Sequence, residues 1–351
     1  MSNEKGKVFS LIRKIDEGNL TEEQIKKNLP RLFTMLDNCM PKYLFKYRHF
    51  DENGHAVDNL EKGLIRVSLS SEFNDPMDCL VYVNGDDFLK IDREVTSINE
   101  TEDLFYYIKE NGHLPPTDYP IKPELKQMVE EAAKRGEFNE VFLKEIKNPL
   151  NNCLKVFERL GRVELVQKQV RNELKIACLS ETIRSPLMWS HYADSHKGFA
   201  VRYKTDAVIK ECANCQLKGC RCYRKDKPFF PIQYKDIRFN ATKIAFYMVA
   251  FEQIAPSDYY TSNLPLMPIL QKSKDWDYEK EWRIVCRNKK IDFFEMKPDA
   301  VFIGLDIKDG NKQKIMDIAK KKKINVFQMF ITPTNKLFEL DYKVIYSAKR
   351  I

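Results

Sequence analysis

Glycine is scarce in this chain of 351 residues: 12 glycines stand against 22 phenylalanines and 16 tyrosines. That balance excludes a glycine-rich or fibrous design. No apolar run is long enough for a membrane-spanning helix, so no membrane partner is expected. The opening residues, Met1 to Lys7, lead into mixed polar sequence without an apolar signal core, and the expected location is cytoplasmic. A strong charge imbalance is missing as well. The net charge of +8 comes from 59 basic and 51 acidic residues, which permits an anionic ligand or nucleic acid without demanding one. The densest basic run, Lys320 to Lys323, reads as the solvated end of a helix, where cations suit the dipole.

What is present is a globular composition, 43% hydrophobic and 31% charged, in a length that suits one large domain or two modest ones. Nine cysteines are an odd count. Cys39, Cys79, Cys153, Cys178 and Cys286 are scattered, mostly in apolar sequence, and read as buried reduced thiols. The other four form Cys212-x₂-Cys215-x₄-Cys220-x-Cys222. Four thiolates that close can share one tetrahedral ion, and zinc is the default for a thiolate set. A disulfide pair, a redox switch and an iron–sulfur cluster are the alternatives.

Apolar spacing places helices over residues 1–40, with Thr21 as N-cap, Gln24 completing a capping box and Pro30 bending or ending the second helix. Short aromatic or β-branched runs mark strands at 43–48, 64–69, 175–180, 198–203, 281–286, 300–305 and 325–331. A helix near 312–322 between the last two gives a β-α-β unit. Residues 85–175 read as a helical insertion and 240–254 as a further helix. The expected fold is α+β, with a mixed central sheet. Residues 1–40 form a helical prefix. Residues 41–351 form a single domain that carries the helical insertion and a Cys-rich insert at 212–222.

Three polar-aromatic segments adjoin strands, where sites are commonly built. The first joins Tyr47 and Arg48 to Ser68, Ser70 and Phe73-Asn74-Asp75-Pro76. Asn74 and Asp75 read equally well as turn formers, because such side chains bond nearby backbone N–H groups. Arg48 can fork onto a phosphate or carboxylate. The second segment holds Trp189, His191, Tyr192 and His196. The five-residue spacing of its histidines does not suit a helical metal pair. His191 is either a general base or a satisfied histidine, and Trp189 reads first as core. In the third segment Glu279, Glu281 and Arg283 alternate onto one strand face, as an ion-pair ladder or as a site with a general base.

Four pieces carry a resemblance: Tyr43 to Arg48, Phe73-Asn74-Asp75-Pro76-Met77-Asp78, Leu187-Met188-Trp189-Ser190-His191-Tyr192-Ala193 and Trp276 to Arg283. In this order they resemble the domain-of-unknown-function family 2971, from about Pro41 to the C-terminus. The resemblance implies a bacterial, intracellular protein linked with phage defence. The layout is also similar to ADP-ribosyltransferases. That similarity implies that Arg48 contacts an NAD phosphate or ribose, and that Ser68 or Ser70 takes the second position. Glu281 or Glu279 then stabilises the ribose cation as nicotinamide leaves. The chain lacks their Ser-Thr-Ser run, and two glutamates compete for one role.

The expected function is therefore a nucleotide- or NAD-using enzyme acting in defence or as a toxin, with a macromolecular acceptor. A nucleic-acid-binding protein or nuclease, and a non-catalytic ligand sensor, are the alternatives. The expected catalytic residues are Glu281, Glu279 and His191. Tyr47, Arg48, Ser68, Asn74, Asp75, Trp189, Tyr192 and Arg283 are expected to bind ligand, and Arg48, Asn74, His191 and the two glutamates to share one pocket. Cys212, Cys215, Cys220 and Cys222 are expected to hold zinc.

Overall fold

A computed structural model describes residues 2–16, 22–84, 174–206, 229–242, 266–286 and 290–348, together with positions 87, 135, 167, 168 and 170–172. The cysteine quartet, almost all of the 85–175 insertion and nearly all of the 240–254 helix lie outside the described residues. The chain divides into two compact units. One comprises Met1–Leu36, Cys79–Glu173 and Ile237–Gln271; the other comprises Asp37–Asp78, Leu174–Asp236 and Lys272–Ile351.

The first unit contains helix α1 (Ser2–Asp16) and most of α2 (Glu22–Cys39). In α1 the buried side chains Val8, Ile12 and Ile15 recur at helical spacing, so one stripe of the helix leaves water. Its last residue, Asp16, accepts the backbone N–H of Met267 at 2.6 Å. Helix α2 does not end at Pro30, which sits in its interior. The ring removes one helical hydrogen bond, but Leu32 and Leu36 beyond it are fully buried, and that packing carries the helix on.

The second unit is built on a mixed sheet of nine strands. Its strands are β1 (Tyr43–Arg48), β3 (Ser68–Leu69), β4 (Lys175–Ser180), β5 (Phe199–Lys204), β6 (Phe229–Pro231), β9 (Glu281–Cys286), β11 (Ala300–Ile303), β12 (Asn325–Phe330) and β13 (Asp341–Tyr346). They run in the order β13-β12-β11-β5-β1-β4-β9-β6, with β3 beside β4. Outside this sheet, β2 (Leu64–Arg66), which follows α3 (His55–Lys62), pairs with β10 (Phe293–Glu295), and β7 (Gln233–Lys235) with β8 (Gln271–Ser273). The run 64–69 is thus two strands in two sheets, not one. This is an α+β fold with N-terminal helices. No helix among the described residues is long and apolar enough to cross a membrane.

Strands β11 and β12 are parallel, joined by α5 (Asp309–Lys322), while the other ladders of this sheet are antiparallel. Lys320, Lys321 and Lys322 fill the last turn of α5, as the dipole favours. One face of the sheet carries Phe45, Tyr47, Ala200, Phe302 and Phe327, packed against Met188 and Trp189 of α4 (Pro186–Tyr192). Helix α4 starts at Ser185, whose hydroxyl accepts the Met188 N–H, with Pro186 preset for the first turn. The chain then turns sharply: Asp194, Ser195 and His196 all have positive φ (46°, 48° and 69°). Gly198 follows because a Cβ there would lie 2.2 Å from the Arg48 carbonyl oxygen. These close approaches hold α4 and the residues after it tightly against β1.

A buried charge cluster and its cavity

Strand alternation puts Glu281 and Arg283 on one face of β9, and both are buried. The Arg283 Nε–H donates to Glu281 Oε1 at 2.7 Å. Arg283 Nη2 donates to both carboxylate oxygens of Asp78, at 2.8 and 2.7 Å. Asp78 comes from the turn after Pro76, and Lys272 comes from β8. Lys272 Nζ reaches Glu279 Oε2 at 2.7 Å, Glu281 Oε2 at 3.3 Å and Asp78 Oδ2 at 3.5 Å. Glu279 is not part of the β9 alternation. It closes the 3₁₀ helix Lys274–Glu279, and Lys280, at φ 45°, separates it from the strand. Its carboxylate nonetheless returns to the same ammonium.

Three carboxylates therefore share two cations out of water. Bringing each of these charges out of water is costly, and the mutual pairing offsets that cost. Burial pushes the Glu281 carboxyl up, but the charges of Arg283 and Lys272 outweigh it and hold the group well below the usual carboxylate range. Burial likewise opposes the Lys272 ammonium, and the charges of Glu281, Asp78 and Glu279 overcome it and raise its affinity for the proton. Glu279 is the remaining negative charge. Burial first, and then the charge of Glu281, push its carboxyl up to about 7. Tyr192 of α4 donates its hydroxyl to Glu279 Oε1 at 2.5 Å, and burial followed by the Glu279 charge keeps that phenol protonated.

These groups border a cavity of about 260 Å³. Among the expected site residues, Tyr47, Ser68, Asn74, Tyr192, Glu279 and Glu281 line it. Lys46, Asp78 and Lys272 line it too, and none of the three was among the expected site residues. Lys46 donates to the Cys178 carbonyl oxygen at 2.8 Å. Burial, and secondarily the Arg48 charge, lower its pKa. The sequence signal for Lys46 was its place between the tyrosines of β1. Lys272 sits in an unremarked polar stretch, so only the pairing of β7 with β8 reveals it.

The remaining expected residues lie elsewhere. Arg283 stands behind Glu281 and does not line the cavity. Arg48 does not line it either. Its guanidinium is buried, and Nη2 has no hydrogen-bond partner among the described residues. Asp75 is a turn former: its carboxylate accepts the Met77 N–H at 2.9 Å. Trp189 is fully buried in the core, with its indole N–H on the Ile183 carbonyl at 2.8 Å. His191 is exposed, with Nδ1 2.8 Å from the Tyr278 hydroxyl. The pocket thus gathers Asn74, Glu279 and Glu281, but not Arg48 or His191.

In chemical terms the cavity offers one carboxyl that exchanges its proton near neutral pH and a second that stays ionised. It adds a phenol donor and two ammonium groups. Two neighbouring acids driven to different protonation states are the usual arrangement for acid–base work. The family described as Protein of unknown function (DUF2971) matches the chain over residues 188–284, a stretch that holds Tyr192, Lys272, Glu279 and Glu281. The resemblance to this one family is supported over that span. Comparison with curated proteins and with solved structures gives no match.

Proposed function

We propose that this cavity is the active site of a cytoplasmic bacterial enzyme that uses NAD or a related nucleotide and transfers its ADP-ribose part, in phage defence or as a toxin. One observation carries the reading: Glu279 and Glu281 meet at a single lysine, and Arg283 pairs with Glu281, so Glu281 is held ionised while burial and its charge raise Glu279. With Glu279 ionised, its carboxylate and that of Glu281 both border the cavity. A carboxylate placed there favours the positive charge that develops on a ribose carbon as its bond to nicotinamide breaks. The bonding pair leaves with nicotinamide, a lone pair of the acceptor forms the new bond to that carbon, and Glu279 takes the acceptor's proton. Glu281, tied to Arg283 and Lys272, keeps its charge throughout. Tyr192 orients Glu279, and Ser68 and Asn74 offer hydrogen bonds to the sugar.

The test is incubation of the purified protein with NAD labelled in its adenylate part, with and without cell lysate. Release of nicotinamide and labelling of a macromolecule are expected; NAD left intact in both conditions rejects the reading. Independently of that activity, the spacing of Cys212, Cys215, Cys220 and Cys222 supports one structural zinc. Elemental analysis is then expected to find about one zinc per chain, lost in Cys215→Ser. Metal-replete protein without zinc would reject the site.

A further inference from the structure

A second aromatic group lies just outside the cavity, in the same unit. Trp276 and Tyr278 come from the 3₁₀ helix that ends at Glu279, and His191 comes from α4. The ring centroids of Trp276 and Tyr278 are 6.0 Å apart. The His191 ring stands edge-on to both, at 6.3 and 5.8 Å. The hydrogen bond between His191 Nδ1 and the Tyr278 hydroxyl fixes these two rings relative to each other. Trp276 and Tyr278 are half-buried and His191 is exposed. The chain has three tryptophans, and the other two, Trp189 and Trp282, are fully buried. Core packing accounts for those two and leaves the exposure of Trp276 unexplained.

The aromatic group is continuous with the cavity wall. Lys272 Nζ lies over the Trp276 ring, 4.9 Å from its centroid, and the same ammonium binds Glu279 and Glu281. Tyr192, which bonds Glu279, meets the His191 ring at 6.3 Å. A ligand held at Glu279 therefore has half-exposed aromatic surface next to it. A flat ring with a π face is what such a surface takes from water, by stacking. We infer that Trp276, Tyr278 and His191 form a stacking platform for the heteroaromatic ring of a nucleotide whose sugar reaches into the cavity. This inference rests on the nucleotide reading above and adds the place where the ring binds.

Tryptophan fluorescence tests it directly, because Trp276 is the tryptophan that a surface ligand can reach. Adenosine monophosphate and nicotinamide mononucleotide are titrated separately, with ribose 5-phosphate as the ringless control. Saturable quenching by either nucleotide and none by the control is expected, and the nucleotide that quenches names the ring. Equilibrium dialysis with that nucleotide, labelled, then compares variants. Trp276→Leu is expected to bind roughly tenfold more weakly, the loss of one stacked ring. Trp276→Phe keeps a ring and is expected to stay within about threefold of the unaltered protein. His191→Ala, at an exposed position that does not threaten folding, is expected to weaken binding severalfold. Quenching by neither nucleotide, or unchanged affinity in both Trp276→Leu and His191→Ala, overturns the platform. NAD cleavage without quenching rejects the platform and leaves the transferase reading standing. Quenching without NAD cleavage does the reverse.

Discussion

Glu279→Gln is expected to lower nicotinamide release by about 10²–10⁴-fold, the range for removing a general base. The amide keeps the shape: its oxygen can face Lys272 and its nitrogen can donate to the Tyr192 hydroxyl. The melting temperature should therefore stay close to that of the unaltered protein. The pH profile gives the sharper result. Because Glu279 acts ionised and its carboxyl is raised to about 7, kcat/KM of the unaltered protein should climb as pH rises through that value and then level off. The variant should show no such climb. A rate that falls through the same range would make Glu279 an acid instead. Stability follows the opposite course. The folded protein binds this proton more tightly than the unfolded chain, whose carboxyl titrates near its ordinary value of 4.5. The contribution of Glu279 is therefore full below that value and is lost as pH rises through about 7. Thermal melts at pH 5 and pH 8 should differ less in Glu279→Gln than in the unaltered protein.

Arg283→Met is expected to cost about 3–5 kcal/mol in urea unfolding, the scale for stranding one side of a buried ion pair. The methionine fills comparable space, but Asp78 and Glu281 lose their guanidinium, and Lys272 is left with three carboxylates. Adding Asp78→Asn should recover part of the loss, since it removes one of the stranded charges; the two changes should be far from additive. The acid side should change as well. Glu281 is held low in the folded state, so its contribution is present above the unfolded value of 4.5 and fades as pH falls toward the folded one. Arg283→Met should flatten that decline. Near-normal stability of the single variant would show that the cluster is not what ties β9 to the turn at Asp78.

The strands were readable because each is a short run rich in aromatic, β-branched or other apolar residues: 43–48, 175–180 and 281–286 have the expected ends. The edge strand β13 and the short strands β6, β7, β8 and β10 were missed. Only β6 among them is wholly buried, so the rest carry little apolar pattern. Helix α4 carries a start signal in Ser185-Pro186, but at seven residues it is too short for its apolar residues to show a helical period.

The sequence by itself determined the α+β class and the β-α-β order near the C-terminus, because each follows from local patterning of apolar residues. That those two strands are parallel, that Trp189 is core and that Asp75 caps a turn came from the tertiary structure; both residues were expected to bind ligand. The sequence also pointed to the segment from Trp276 to Arg283 as chemically dense. Only the tertiary structure decided which glutamate titrates. Glu279 and Glu281 are the same residue type two positions apart. Their difference comes from burial, from Arg283, which holds Glu281 low, and from the Glu281 charge, which raises Glu279. Arg283 is itself tied to Asp78, 205 residues away in the chain. Electrostatic environment depends on distance and burial, and neither is written in the order of the residues.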